Sequence, residues 1–454
     1  METHAGAVAA ATLGDRLDRL PLTSFHRRLV VALAGMILFE WVETHSFAYV
    51  LPVLREQWGA PMSAFATVAA VSSLGAFSGG VLGGYLADRL GRRRTMLIFS
   101  VTYCLAAVLC ALVQSPGQLT ATRFLAFFGA QGTAVVAIVT LSEFVPAAAR
   151  GRLQTYKVVI GSLGIPVAAW LGYFLIPHWP SGWRFLFGIG TLGAVFSVLV
   201  WRWVPESPRW LVAHGQAARA HEVVREIERQ CGVTPGALAA DPPPTPSQGR
   251  ARMSDLLTGA HRGRFALASL MWVTGLLAYS AFNTWTPTLL SENGLGLSDT
   301  LLLSATLASF APVGALVAVP LIDRWERRTS QLAVGVLLAA VLLLFSVARS
   351  YAAILVFGCL VSLLFQMAVP FLQVYTAEVF PTRVRALGAG TANALSRIVN
   401  FSGPMLVTSV YAGLGYTAVF GFLAVLAVAG GCLAVLFGPR TTGVNLETVE
   451  GATR

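Results

Sequence analysis

GGYLADRLGRRRT, residues 83–95, joins the end of one apolar run to the start of the next, and a shortened copy of it, IDRWERRT, occupies 322–329. Both strings put an acidic residue and several arginines at a junction between apolar runs. At the same offset of 235 residues, without a gap, Phe47 falls on Phe282, Pro52 on Pro287, Asp88 on Asp323, and Arg89 on Arg324. Arg92 and Arg93 likewise fall on Arg327 and Arg328, Glu143 on Glu378, Pro146 on Pro381, and Arg150 on Arg385. Charged residues are too sparse here for so many coincidences, so the chain is an internal duplication. The small residues Gly75, Gly79 and Gly83 have counterparts in Gly314 and Ala318, which predicts close backbone approach at the same interface in both copies.

Of 454 residues, 56% are hydrophobic and 12% charged, against about 45–50% and 25% in soluble domains. That composition excludes a water-soluble fold. Apolar runs predict twelve membrane helices near 29–54, 63–87, 95–113, 118–141, 154–176, 184–203, 264–290, 299–322, 330–347, 351–375, 385–411 and 415–437. They are numbered helix 1 to helix 12 below. The expected fold is an all-α membrane protein of two parallel six-helix pseudo-repeats, 29–203 and 264–437. These are flanked by a segment 1–28, a linker 204–263 with amphipathic helices and a tail 438–454. The string 207–230 reads as one amphipathic helix capped by Ser207, DPPPTPSQG (241–249) as a flexible linker, and Ser254 as the start of a second short helix.

The chain carries 32 basic and 21 acidic residues, and Lys157 is the sole lysine. Of the basic residues outside helix interiors, 27 fall on the face that holds both termini and three on the other, Arg55, Arg184 and Arg349. The excess places both termini in the cytoplasm and makes a bacterial-type inner membrane the expected location, with helix 1 as the targeting signal. Nucleic acid is not an expected partner of so apolar a chain. Five cysteines, four of them inside apolar runs, form neither a disulfide framework nor a metal-ligand pattern.

Charges inside the bilayer cost at least about 2.5–3.5 kcal/mol each, so those present call for a role. Glu40, Glu43 and His45 lie in helix 1, Arg123 in helix 4 and Arg397 in helix 11. Glu40 and Glu43, three apart, share a face; two carboxylates so close in a low dielectric disfavour joint ionisation, so one is expected to hold a proton near neutral pH. The alternatives are a permanently neutral Glu43 that hydrogen-bonds at a helix interface and a His45 that is a satisfied buried histidine and no relay. Arg123 either pairs with a helix 1 carboxylate or snorkels outward. Midplane walls from helices 7, 10 and 11 offer Tyr279, Asn283, Trp285, Gln366, Gln373, Asn393, Arg397 and Asn400 for substrate. The spacing of the last three presents an anion-binding fork between two amides. Asp88, Arg89, Arg92, Glu143, Arg150, Asp323, Arg324, Glu378 and Arg385 are expected to form a cytoplasmic gate that pairs across the halves while that face is closed.

GGYLADRLGRRRT and its copy resemble the signature of the major facilitator superfamily, over essentially the whole chain. PESPRWL (205–211) and YTAEVFPTRVRALGAG (375–390) look like its sugar-porter, organic-ion and aromatic-acid group. RLDRLPLTSFHRRL (16–29), FEWVE (39–43) and FNTWTPTLL (282–290) look like the niacin and aromatic-acid proton symporters, relatives of the synaptic vesicle glycoprotein 2 proteins. That family usually carries two aspartates three apart in helix 1, where this chain has Glu40 and Glu43. RFLAFFGAQG, from Arg123, resembles the superfamily's second motif, with Phe127 at the usual glycine. The resemblance implies a monomeric secondary transporter, not an enzyme, that needs no cofactor beyond a coupling proton. Its expected cargo is a small organic anion such as nicotinate. The competing expectations are a sugar or polyol porter and, with less support, organic-cation or drug efflux, since GSLGIPVAAW (161–170) lacks the Gly-Pro-x-x-Gly-Gly pattern.

Overall fold

A computed structural model describes residues 13–233, 253–258, 261–322, 325–380 and 384–440. Asp323, Arg324, the 241–249 linker and most of the tail lie outside the described residues, as does the side chain of Arg385. The elements are helical. Helix 1 is Ser24–Trp58, helix 2 Met62–Leu90, helix 3 Arg92–Leu112 and helix 4 Pro116–Phe144. Helix 5 is Ala147–Ser162 continued by Gly164–Leu175, and helix 6 is Gly182–Ile189 joined to Gly193–Trp203 through the 3₁₀ turn Gly190–Leu192. In the second half, helix 7 is His261–Glu292, helix 8 Leu297–Ile322, helix 9 Arg327–Val347, helix 10 Tyr351–Glu378 and helix 12 Tyr416–Phe437. Among the described residues, eleven helices have the length and apolarity to cross a membrane.

Helix 11, expected to be continuous over 385–411, is instead two pieces, Arg385–Val399 and Gly403–Leu414. Pro404 has no N–H for the Asn400 carbonyl, which takes the Gly403 N–H in a tighter turn. Pro166 similarly withholds a donor from Ser162, and helix 5 breaks at Leu163. The amphipathic stretch also divides. Ser207 caps Pro208–Ala213 by accepting from Trp210 N, but Gly215, at φ +73°, turns the chain before Ala217–Gln230 begins. A further short helix, Met253–Leu257, lies at the position expected near Ser254.

The duplication is physical. Gly79 lies against the backbone of Phe128, and Gly314 against that of Leu363; both members of the second pair stand 235 residues beyond those of the first. A side chain at either glycine would push helix 2 off helix 4, or helix 8 off helix 10.

The N-terminal helix Leu13–Asp18 docks on Ala217–Gln230 through a buried Arg16–Glu228 ion pair of 2.6 Å, and Ala220, Val224 and Ile227 are buried there. Polar contacts between described residues of the two halves sit at the cavity level or on the face away from the termini. Arg55 pairs with Glu292, Trp170 Nε1 donates to Ser309 Oγ at 3.0 Å, and Asn400 Nδ2 donates to Ser73 Oγ at 3.3 Å. Helix 8 meets the far piece of helix 5 more extensively than the near one. The halves are thus clasped on that face.

Candidate functional site

A cavity of about 260 Å³ lies between the halves, walled by helices 1, 2, 4, 7 and 11. Helix 1 brings Glu40, Trp41 and His45 to it, helix 4 Arg123 and Phe127, helix 7 Tyr279, Asn283 and Trp285, and helix 11 Arg397 and Asn400. Gln366 is buried in helix 10 away from this wall, Gln373 is exposed, and Asn393 lies about two turns before Asn400 without reaching the wall.

The two helix 1 carboxyls take separate surroundings. Three residues along an α-helix turn a side chain by about 60° from its predecessor, enough here to separate them. Glu40 lines the cavity, whereas Glu43 turns into the first half and meets Arg123 at 2.9 Å, both side chains 1% exposed. Arg123 Nη1 also donates to the Glu43 carbonyl at 2.9 Å and Nη2 to that of Thr44 at 3.0 Å. The rings of Phe127, Phe47 and Phe187 face the guanidinium at 4.7, 5.3 and 5.6 Å. Phe127, standing where glycine was expected, is therefore one wall of the Arg123 chamber, and Arg123 is turned inward. Gly190 leaves room for Glu43, since a Cβ there would come within 2.8 Å of Oε2. His45 bonds the Trp41 carbonyl through Nδ1 at 2.9 Å while its ring stays on the wall.

Across the cavity, Asn400 is held from both halves: Ser280 Oγ donates to its Oδ1 at 2.6 Å, and its Nδ2 reaches Ser73. Asn283 Nδ2 donates to the Tyr279 carbonyl at 2.9 Å, and Tyr279 meets Phe365 edge-on at 6.0 Å. Arg397 lines the cavity and donates no hydrogen bond to any described residue, although Glu40 acts on it electrostatically. Its planar fork is free for a ligand. Sequence reasoning missed Ser73 and Ser280, which look like ordinary small helix residues, and Lys157, which is 3% exposed and also within electrostatic reach of Glu40.

On the face that holds the termini, Arg92 pairs with Glu143 at 3.2 Å and Asp88 at 3.1 Å, and Arg327 with Glu378 at 3.5 Å, the same contact 235 residues on. These pairs lie within each half; the expected pairing across the halves belongs to a state in which this face is closed, and here the clasped face is the other one. Glu206, also missed, accepts from the N–H groups of Arg92 and Arg93 and holds the linker to the start of helix 3. Arg150 stands 3.9 Å from Asp18, and Arg89 covers the Tyr85 ring.

A family model described as sugar (and other) transporter matches residues 7–452. YyaJ of Bacillus subtilis, a proposed metabolite transport protein, is 33% identical over 435 residues, 95% of this chain and 96% of the relative. The niacin transporter NiaP of Acinetobacter baylyi is 30% identical over 438 residues, 96% and 99% of the two chains. Among solved structures, the xylose transporter XylE from E. coli, in a partially occluded inward open conformation, superposes with a TM-score of 0.76. It is 18% identical, over 93% of this chain and 100% of that one, a likeness of fold.

Proposed function

The chain belongs to the family of sugar and other transporters in the major facilitator superfamily, a transporter and not an enzyme, and on that premise we propose that it couples uptake of a small organic anion to protons by alternating access. Nicotinate or another aromatic carboxylate is the cargo. The observation that carries this reading is Arg397, a guanidinium on the cavity wall with no hydrogen-bonded partner among the described residues. A neutral solute needs no such group, whereas a carboxylate matches its fork bidentately. Tyr279, Trp285 and Trp41 supply faces on which a flat ring stacks, and NiaP supports the same class by its name. The second reading, a sugar or polyol, draws on the family description and on the amides and hydroxyls of Asn283, Asn400 and Ser280.

The distribution of arginine supports cytoplasmic termini in a bacterial inner membrane, and the proposed working unit is a monomer. With that orientation the clasped face is external and the conformation opens inward. Residues 29–203 and 264–437 then rock about the cavity, with Glu43, Glu40, His45 and Arg123 handling the proton.

A thermal-shift screen of purified protein with nicotinate, benzoate, nicotinamide and xylose tests the cargo. A ligand at one hundred times its Kd stabilises the state it binds by about 2.7 kcal/mol. Acids are expected to raise Tm and the amide and sugar not; stabilisation by xylose alone would reverse the choice.

The gate carries its own prediction. Asp88, Arg89, Arg92, Glu143, Arg150 and Glu378 stand away from the cavity, so Arg92→Gln or Asp88→Asn should slow transport while leaving ligand Kd within about tenfold, about 1.4 kcal/mol. Transport at the wild-type rate by both variants would remove these groups from the gate.

A further inference from the structure

A second cavity, of about 300 Å³, lies on the face that holds the termini, where the start of helix 3, the end of helix 6 and the linker helices Pro208–Ala213 and Ala217–Gln230 converge. Arg93, Arg94 and Arg219 line it, and Glu206 is the acidic residue on its wall. That carboxylate is already engaged: its Oε1 accepts from the N–H groups of Arg92, Arg93 and Ser207 at 2.7, 3.2 and 3.0 Å. The arginines have donors to spare. Arg94 makes no hydrogen bond or ion pair with any described residue, and Arg219 donates to the Gln216 amide oxygen at 2.8 Å through Nη1 alone. Arg93 donates to the Trp201 carbonyl through Nη2, but its Nε is buried with no hydrogen-bond partner. Three guanidiniums thus share one space with a single counter-charge. Like charges so placed repel, and an anion among them removes the repulsion.

The surroundings indicate which anion. Every lining residue belongs to the first half or the linker, so the cavity is on the flank of that half and away from the space between the halves. Two exposed apolar ribbons run from it toward the bilayer centre. On helix 3, Leu97 of the cavity wall is followed at intervals of four by Val101 and Leu105, 49% and 59% exposed. On helix 6, the lining residue Trp201, 58% exposed, is preceded by the exposed Val198 and Val195. A soluble anion has no use for such ribbons. Acyl chains lie along them beneath a headgroup held in the cavity, and a tryptophan at that level marks the membrane border.

We propose that this cavity binds the phosphate of an anionic phospholipid, with Arg94 and Arg219 as its ligands and the Arg93 Nε behind them. The site is separate from the transport cavity and stands whatever the cargo. Arg94 belongs to helix 3 and Arg219 to the linker, so a phosphate between them fastens the linker to the first half. It does so beside two contacts already present, the Glu206 bonds and the donation of Trp210 Nε1 to the Asp88 carbonyl at 2.9 Å. Occupancy therefore steadies the junction that carries Asp88 and Arg92.

The test melts detergent-purified, delipidated protein with phosphatidylglycerol, with phosphatidylcholine of the same chains, and with glycerol 3-phosphate. Phosphatidylglycerol should raise Tm; the other two, one without net charge and one without chains, should not. In Arg94→Gln with Arg219→Gln the apparent Kd for phosphatidylglycerol should rise at least about tenfold, and native mass spectra should show one fewer retained lipid. Arg152→Gln, which removes an exposed arginine elsewhere on the same face, should leave that Kd within about twofold. Arg94 and Arg219 are exposed, so the double variant without lipid should melt as wild type does. Arg94→Lys with Arg219→Lys keeps both charges and should bind the lipid within about threefold of wild type. An equal response to phosphatidylcholine would assign the acyl chains alone, and an equal response to glycerol 3-phosphate a soluble anion. An unchanged Kd in the double glutamine variant would place the lipid elsewhere, and an equal loss in Arg152→Gln would reduce the effect to surface charge. Each of these four results overturns the proposal.

Discussion

Glu43→Gln is expected to abolish accumulation of substrate driven by a pH gradient in liposomes while counterflow exchange, which needs no net proton movement, continues. The reason lies in the Glu43–Arg123 pair, 2.9 Å apart with both side chains 1% exposed. At such depth a carboxylate is tolerable only beside its cation, so binding and release of a proton there must alter the pairing between helices 1 and 4. Gln is close to Glu in shape and still accepts from Arg123, whose remaining bonds to the Glu43 and Thr44 carbonyls and whose three aromatic neighbours hold it in place. The variant should therefore fold yet carry no proton. Arg123→Leu is different: it strands a buried carboxylate and is expected to cost about 3–5 kcal/mol of stability, as measured by melting of the purified protein. Adding Glu43→Gln to it should recover part of that loss, because no charge is then left alone. Unchanged gradient-driven uptake by Glu43→Gln and by Glu40→Gln would make both carboxyls structural.

The duplicated architecture was legible because it is written in rare residues. Arg92 and Glu143 recur as Arg327 and Glu378, and the same offset relates their two salt bridges in space. Gly79 and Gly314 read as close-approach positions because small residues in apolar helices have few other uses. The site was less legible, for reasons particular to each residue. Spacing showed that Glu40 and Glu43 lie near one face of helix 1, but which neighbour each meets depends on the rotation of that helix against helices 4 and 11, a tertiary quantity. Lys157 was hidden in the count of positive charges at the terminal face, ten residues into helix 5. The signal that could have found it is its identity, a lone lysine where arginine serves every other basic position. Helix 11 hid its break because Gly403 and Pro404 fall inside an apolar run, and hydropathy does not register a missing N–H. Gln366 and Gln373 were chosen by type alone, and helix 10 turns them away from the cavity.

Arg397→Lys is expected to weaken binding of an aromatic acid by about 1.5–3 kcal/mol while leaving binding of the corresponding amide nearly unchanged. Arg397 stands twelve residues after Arg385, the first residue of helix 11, on the cavity wall, and donates to no described residue. Lysine retains the positive charge, so any long-range attraction to Glu40 largely survives the substitution. What it loses is the planar pair of N–H donors that meets both oxygens of a carboxylate at once, and its compact ammonium is more strongly hydrated. The two roles of Arg397 are thereby separated. If it serves as a permanent structural partner of Glu40 across the halves, Arg397→Lys should change acid and amide binding equally and by little. If it receives substrate, nicotinate should lose affinity and nicotinamide should not, and the selectivity of the wild type for the acid should shrink by the same factor. Isothermal titration of both ligands against both proteins measures this directly. Should wild type and Arg397→Lys bind acid and amide alike, the organic-anion reading loses the group that carries it, and the amides and hydroxyls of Asn283, Asn400 and Ser280 become the recognition elements of a neutral solute.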